Sequence, residues 1–197
     1  MNSARKSVLV LLLAVAAIAA VAVFVWKGPP RLPIVAAVQA VPRHDLVMRD
    51  NVWHKQTETN AFTGLMVDTY PNGALMNRSM ISNGLPNGIS ESWYTNGQLQ
   101  IREDFRNGIS DGLREKWFQN GRKMSEAMIV EGEITGTFRS WHENGQLSER
   151  IQMKQGKPDG TAWAYYPSGF AKAEIAMQNG KVLNRKSWKD GEHKTTQ

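Results

Sequence analysis

Few side chains in this sequence have the chemistry to act on a substrate, and their spacing argues that they do something else. The four histidines, His44, His54, His142 and His193, are the natural general bases at neutral pH, yet they are scattered along the chain. His142 stands in a column otherwise held by Tyr70, Tyr94, Phe118 and Tyr166, so it reads as a substituted aromatic. There is no cysteine, which excludes a thiol nucleophile, a cysteine-ligated zinc and a disulfide. Glu91 and Glu115 recur 24 residues apart, a step that decorates consecutive units instead of gathering metal ligands. The Gly-x-x-x-Gly pairs have no helix after them, as a phosphate loop requires. The expectation is a non-enzymatic chain without metal or cofactor. What remains is a stripe of Trp93, Trp117 and Trp141 beside the Tyr70, Tyr94, Phe118, His142 and Tyr166 column. Such ladders serve either as a binding surface for peptide, lipid headgroup or glycan, or as packing between repeats.

The elements that must carry these ladders follow from one period. Asn-Gly occurs at Asn72-Gly73, Asn96-Gly97, Asn120-Gly121 and Asn144-Gly145, with Ser168-Gly169 continuing the series, always 24 residues apart. Two further glycine columns keep the register, Gly84 to Gly180 and Gly64 to Gly160, so 15 of the 17 glycines are periodic. Self-similarity at a fixed step is the signature of a repeat array. Asn-Gly between aromatic and β-branched runs predicts a hairpin with a two-residue type I′ turn, with strands at about residues 89–95 and 98–106. Gly108 and Gly112 should bracket the link to the next hairpin. The fold class expected is all-β, a single-layer antiparallel meander of 24-residue hairpins, with Gly73, Gly97, Gly121, Gly145 and Gly169 as its structural turns. A two-residue turn would put Tyr94 opposite Leu99 on one face, with Ile101 and Phe105 further along. Trp93 would lie opposite Gln100 on the other face, near Arg102, Glu126, Arg150 and Glu174. Twist would roll the sheet and leave one ladder in a groove, with the Trp stripe reading as packing and the Tyr94 and Phe118 face as the candidate binding surface.

The flanks divide the chain into four segments. Residues 1–26 contain Ser7 to Trp26, a 20-residue run without a charge, long enough to cross a bilayer as a helix. A cleaved signal peptide competes with this reading, but its apolar region is usually shorter. Residues 27–47 hold Pro29, Pro30, Pro33 and Pro42, half of the eight prolines, and read as an extended linker. Residues 48–191 are the repeats with their terminal half-repeats, and 192–197 a polar tail. The net charge is +6, but Arg5, Lys6 and Lys27 flank the apolar run and leave only +3 on residues 28–197. That balance is no nucleic-acid signature. The expected location is the cell membrane, single-pass, with the repeats on the periplasmic or extracytoplasmic side.

The residues Trp93-Tyr94-Thr95-Asn96-Gly97-Gln98-Leu99 and Asn107-Gly108-Ile109-Ser110-Asp111-Gly112 resemble the variant MORN repeats of bacterial proteins catalogued as antitoxin components of toxin-antitoxin systems. The likeness spans roughly residues 48 to 191 and includes Asn60-Ala61-Phe62-Thr63-Gly64, where that family more usually has proline at the Ala61 position. The resemblance implies a β-hairpin array and a protein partner, a toxin if the antitoxin role carries over. The function expected is a membrane-anchored module for protein–protein interaction, with a partner engaging the groove or the strand edge. The alternative is a lipid-surface or envelope-structural module that lies on anionic membrane through its strands.

Overall fold

The computed structural model describes residues 39–194. The charge-free run, and with it the expected transmembrane helix, lies outside the described residues, as do residues 27–38 of the linker. Among the described residues no helix is long and apolar enough to cross a membrane.

Fourteen strands follow in chain order: β1 (Ala40–Pro42), β2 (Leu46–Arg49), β3 (Val52–Lys55), β4 (Gly64–Thr69), β5 (Leu75–Ser82), β6 (Leu85–Trp93), β7 (Leu99–Arg106), β8 (Ile109–Trp117), β9 (Lys123–Val130), β10 (Glu133–Trp141), β11 (Leu147–Lys154), β12 (Lys157–Tyr165), β13 (Ala171–Gln178) and β14 (Lys181–Ser187). β4 to β14 form one antiparallel meander in sequence order, and β1 joins β4 in parallel to make twelve strands. β2 and β3 pair separately as a hairpin. β6 (Leu85–Trp93) begins four residues before the expected 89–95, whereas β7 (Leu99–Arg106) falls within one residue of the expected 98–106.

Both connections in each repeat are hairpin turns, but the two-residue type I′ turn expected at Asn96-Gly97 is found at the other connection. At Asn96-Gly97 only Gly97 has positive φ, +81°. Its N–H donates to Tyr94 O at 2.9 Å and Tyr94 N–H donates to Gln98 O at 2.9 Å, so this is a three-residue loop of a type I turn closed by a left-handed glycine. Asn96 spends its side chain on the turn, Oδ1 accepting from Gln98 N–H at 3.0 Å, and therefore keeps ordinary φ. As a result Trp93 is opposite Leu99, and the register shifts there. The two-residue type I′ turn is the other connection. Asn107 and Gly108 both have positive φ, +48° and +83°, between the paired Arg106 and Ile109.

Gly112 lies inside β8 instead of bracketing a link. The register slips opposite it, between Glu103 and Phe105, and its φ is +140°. This glycine column marks β-bulges, and at Gly112 a Cβ would come within 2.6 Å of Asp104 Cβ, too close for a side chain.

The array is capped at its first end. Leu46, Phe62 and Ile81 are buried together, with Val41, Trp53 and Met66 packed against them. Main-chain bonds tie the cap to the first type I′ turn: Trp53 N–H to Gly84 O (2.9 Å), Gly84 N–H to Phe62 O (2.7 Å) and Phe62 N–H to Trp53 O (2.7 Å). The expected linker over 27–47 therefore ends early, because Ala40–Pro42 is already a strand of the sheet. Pro42 is tolerated there because a strand at the sheet edge has no second ladder to supply with its missing N–H.

Cross-strand pairing sorts the side chains onto two faces. One, here the serine face, carries adjacent rows Asp68–Asn77–Ser92–Ile101 and Met66–Ser79–Ser90–Glu103. The other, the charged face, carries the row Arg78–Glu91–Arg102–Glu115–Glu126–Arg139–Arg150. Ile101 and Arg102 thus fall on opposite faces, as their alternation along β7 requires.

Candidate functional site

The charged face is held by ion pairs between neighbouring strands. Arg78 Nε donates to Glu91 Oε2 at 2.6 Å. Glu115 and Glu126 are directly opposite each other, an arrangement that would repel. Lys123 prevents it by reaching both, at 2.7 and 3.0 Å, and Arg139 adds a 3.0 Å contact to Glu126. Partial burial works against the charge on Lys123, but its bonds to the two carboxylates outweigh that and hold its pKa above the ordinary lysine value. Burial likewise opposes the charge on Glu126, and the bonds from Lys123 and Arg139 more than compensate, holding its pKa below the ordinary value.

The Trp stripe lies among these charges. Trp93, Trp117 and Trp141 are half-buried. The Arg78 guanidinium is 5.4 Å from the Trp93 ring centre, and Lys123 Nζ is 5.9 Å from that of Trp141, within cation–π range.

The column of Tyr70, Tyr94, Phe118, His142 and Tyr166 sits just past the strand ends, at the three-residue loops, and all five rings are half-buried. It joins each repeat to the next. Tyr70 Oη donates to Trp93 O at 2.8 Å, Tyr94 Oη to Trp117 O at 2.8 Å, and Tyr166 Oη to Trp188 O at 3.0 Å. His142 Nε2 makes the same contact to Tyr165 O at 3.0 Å. The turn asparagines run parallel to it, Asn96 Nδ2 reaching Gln119 O at 2.8 Å and Asn144 Nδ2 reaching Pro167 O at 2.6 Å. The other three histidines lie apart: His44 beside Asp45 (3.5 Å), His54 beside Asn60 O (3.0 Å) and His193 stacked on Trp188 (4.5 Å).

The turn glycines Gly73, Gly97, Gly121, Gly145 and Gly169 all have positive φ and close the loops that carry this column. The two ladders singled out in the sequence are thus near one another along the loop edge, and neither lines the depression beside Ser79 and Ser90.

That depression is on the serine face at the N-terminal end, with a volume of about 420 Å³. Its lining includes Asn77, Ser79, Ser90 and Ser92, apolar Met66, Pro86, Ile101 and Phe105, and the charged Arg43, Asp68 and Glu103. Arg43 stands 4.0 Å from Asp68, and Glu103 accepts a 2.7 Å bond from Arg114 Nε. The cause of the depression is a departure from the period. The position of Ser79 is Ile151 and Ile175 in later repeats, and that of Ser90 is Phe138. The intervening repeats have Glu103 and Ala127 at the first position and Arg114 and Ala162 at the second, so the two columns carry hydroxyls together only at Ser79 and Ser90. Asp68, Ser79, Ser90 and Ser92 were missed in the sequence because serine there matches no motif. The signal available was its absence from the 24-residue pattern of its own column.

A family model described as MORN repeat variant matches residues 86–107 and 134–155. Two segments of the chain, each a hairpin, are thus similar to the MORN repeat variant. The two matches begin 48 residues apart, two periods, and the first runs from β6 through Asn107 of the type I′ turn. MORN repeats are generally modules of protein or membrane interaction. No curated protein matches the chain.

Proposed function

We propose that this MORN-repeat chain is a membrane-anchored, non-enzymatic interaction module whose serine-face depression receives a side chain of a partner polypeptide. The observation that carries the reading is a local departure from the period: Ser79 and Ser90 stand where later repeats carry Ile151 and Phe138, and the depression of about 420 Å³ lies beside them. The lining suits a side chain with an apolar stem and a polar head. Ile101 and Phe105 offer hydrocarbon, while the serine hydroxyls and Asp68 offer acceptors. The charge-free run Ser7 to Trp26 supports anchoring, with the repeats outside the cytoplasm. An antitoxin or immunity role is one form of this activity, and only the family resemblance supports it. The test is photo-crosslinking from position 92 of the full chain in native membranes. Covalent capture of one defined protein from position 92, and not from position 146 in the exposed loop before β11, is the expected result.

A second reading has its own support. The charged face exposes Met80, Ile89, Leu113 and Met128 beside its charge row, and exposed apolar residues rimmed by charge suit a membrane surface. On that reading a chain lacking residues 1–26 still binds anionic vesicles, and Met80→Asp with Met128→Asp abolishes it.

A further inference from the structure

The sheet is finished at one end and open at the other. At the first end the outer strand β1 is three residues long and ends on Pro42, features that blunt an edge. At the far end β14 spans Lys181–Ser187, and all seven residues are exposed, Val182 at 58% and Leu183 at 65%. Twenty-four residues earlier, β12 has β13 in the neighbouring slot. Among the described residues nothing takes that slot beside β14. The chain turns back instead: Trp188 N–H donates to Lys172 O at 3.0 Å and Ala171 N–H donates to His193 O at 2.9 Å. Trp188 then stacks on Trp163 with ring centres 6.0 Å apart.

We infer that β14 receives an extended acidic segment of a partner polypeptide as the thirteenth strand of the sheet. The inference rests on the interaction-module reading but on a different surface from the depression. Strand addition gains its affinity from main-chain hydrogen bonds and its selectivity from alternate side chains. The selecting side chains here are Lys181, Arg185 and Lys186, with no acidic residue in the strand. The nearby carboxylates are already engaged: Glu174 with Lys186 at 3.7 Å, Glu192 with Lys189 N–H at 2.7 Å, and Asp190 with the Ser168 hydroxyl. A second copy of this chain, docked edge to edge, would bring the same three cations together, so charge argues for a different, acidic occupant. Val182 pairs with Met177 and Leu183 falls at the register shift beside it; both are exposed and would cover apolar side chains of the incoming strand.

The experiment uses the full chain in detergent micelles and two labelled ten-residue peptides, one alternating Glu and Val and one alternating Lys and Val. Fluorescence anisotropy should show binding of the Glu peptide only. Hydrogen exchange should slow in residues 181–187 when it binds. Charge reversal by Lys181→Glu and Arg185→Glu should weaken the Glu peptide about fourfold, each exposed ion pair contributing roughly a factor of two, with an unchanged melting temperature because both side chains are exposed; Lys186 is left in place because it pairs with Glu174. The Ser79→Ile, Ser90→Phe variant, which fills the depression, should bind the Glu peptide as the parent does. Equal binding of both peptides, protection elsewhere than 181–187, or indifference to charge reversal would overturn the proposal. So would sedimentation showing a dimer that protects β14 without any peptide, since the occupant would then be a second copy.

Discussion

The Tyr94 hydroxyl donates to the backbone carbonyl of Trp117, 2.8 Å away and 23 residues later. Tyr70 and Tyr166 make the equivalent bond to Trp93 and Trp188. Phe118 occupies the same column and has no hydroxyl to give. Phe118→Tyr should therefore add a bond toward Trp141 O and raise stability by about 0.5–1.5 kcal/mol, the net value of a hydrogen bond. Tyr94→Phe should cost about as much. Urea midpoints of the two variants check this.

Adjacent tyrosines should respond in opposite senses to one change. Tyr166 Oη is bonded to Trp188 O, whereas Tyr165, 2% exposed, has a buried hydroxyl with no partner among the described residues. Tyr166→Phe should destabilise by about 1 kcal/mol, and Tyr165→Phe should be neutral or stabilising, because an unpaired buried polar group costs about 1–3 kcal/mol. Thermal unfolding of the two variants side by side decides it.

The bulge glycine and the loop glycine should differ in tolerance. Both Gly112 and Gly73 have positive φ, but a Cβ at Gly73 meets nothing within 4 Å, while one at Gly112 strikes Asp104 Cβ. Gly73→Ala should cost about 1 kcal/mol for the left-handed backbone alone. Gly112→Ala adds a backbone displacement and should cost about 3 kcal/mol. Equal unfolding midpoints would remove the close-approach argument.

The ion cluster of Lys123 with Glu115 and Glu126 gives a stability profile with two edges. Lys123 has a raised pKa in the fold, so its contribution is complete below the ordinary lysine value of 10.5 and is lost as pH rises through the raised one. Glu126 has a lowered pKa, so its contribution is complete above the ordinary 4.5 and is lost as pH falls through the lowered one. Lys123→Met should leave Glu115 facing Glu126 and lower stability at neutral pH by about 1 kcal/mol, discounted for exposure. That deficit should shrink as pH falls through the lowered pKa of Glu126 and its carboxylate takes up a proton. Melting temperatures against pH, parent and variant, test both edges.

The sequence revealed the period, and with it the meander, because every turn needs a glycine that no other residue replaces cheaply. It did not reveal which Asn-Gly makes which turn. Asn96-Gly97 and Asn107-Gly108 are the same dipeptide, and what separates them is whether the asparagine side chain bonds its own loop or its backbone goes left-handed. The early strand β1 was hidden by its proline, which reads as linker until the strand is seen to lie at an edge. The depression was hidden for a different reason: Ser79 and Ser90 matter through what they fail to fill, and a volume left empty has no residue pattern of its own.

The central claim, that the serine-face depression is where a partner binds, is tested most directly by filling it with the array's own residues. Ser79→Ile and Ser90→Phe copy Ile151 and Phe138, which occupy the same positions two repeats or more along the array. Because Ile151 pairs with Ala162 while Ser79 pairs with Ser90, the single variant Ser79→Ile is measured beside the double one, and melting temperatures show that each is folded. Crosslinked capture of the partner protein by the full chain in membranes, measured for parent and double variant together, should fall to background for the variant. Capture at the parental level by a stably folded double variant would contradict the account.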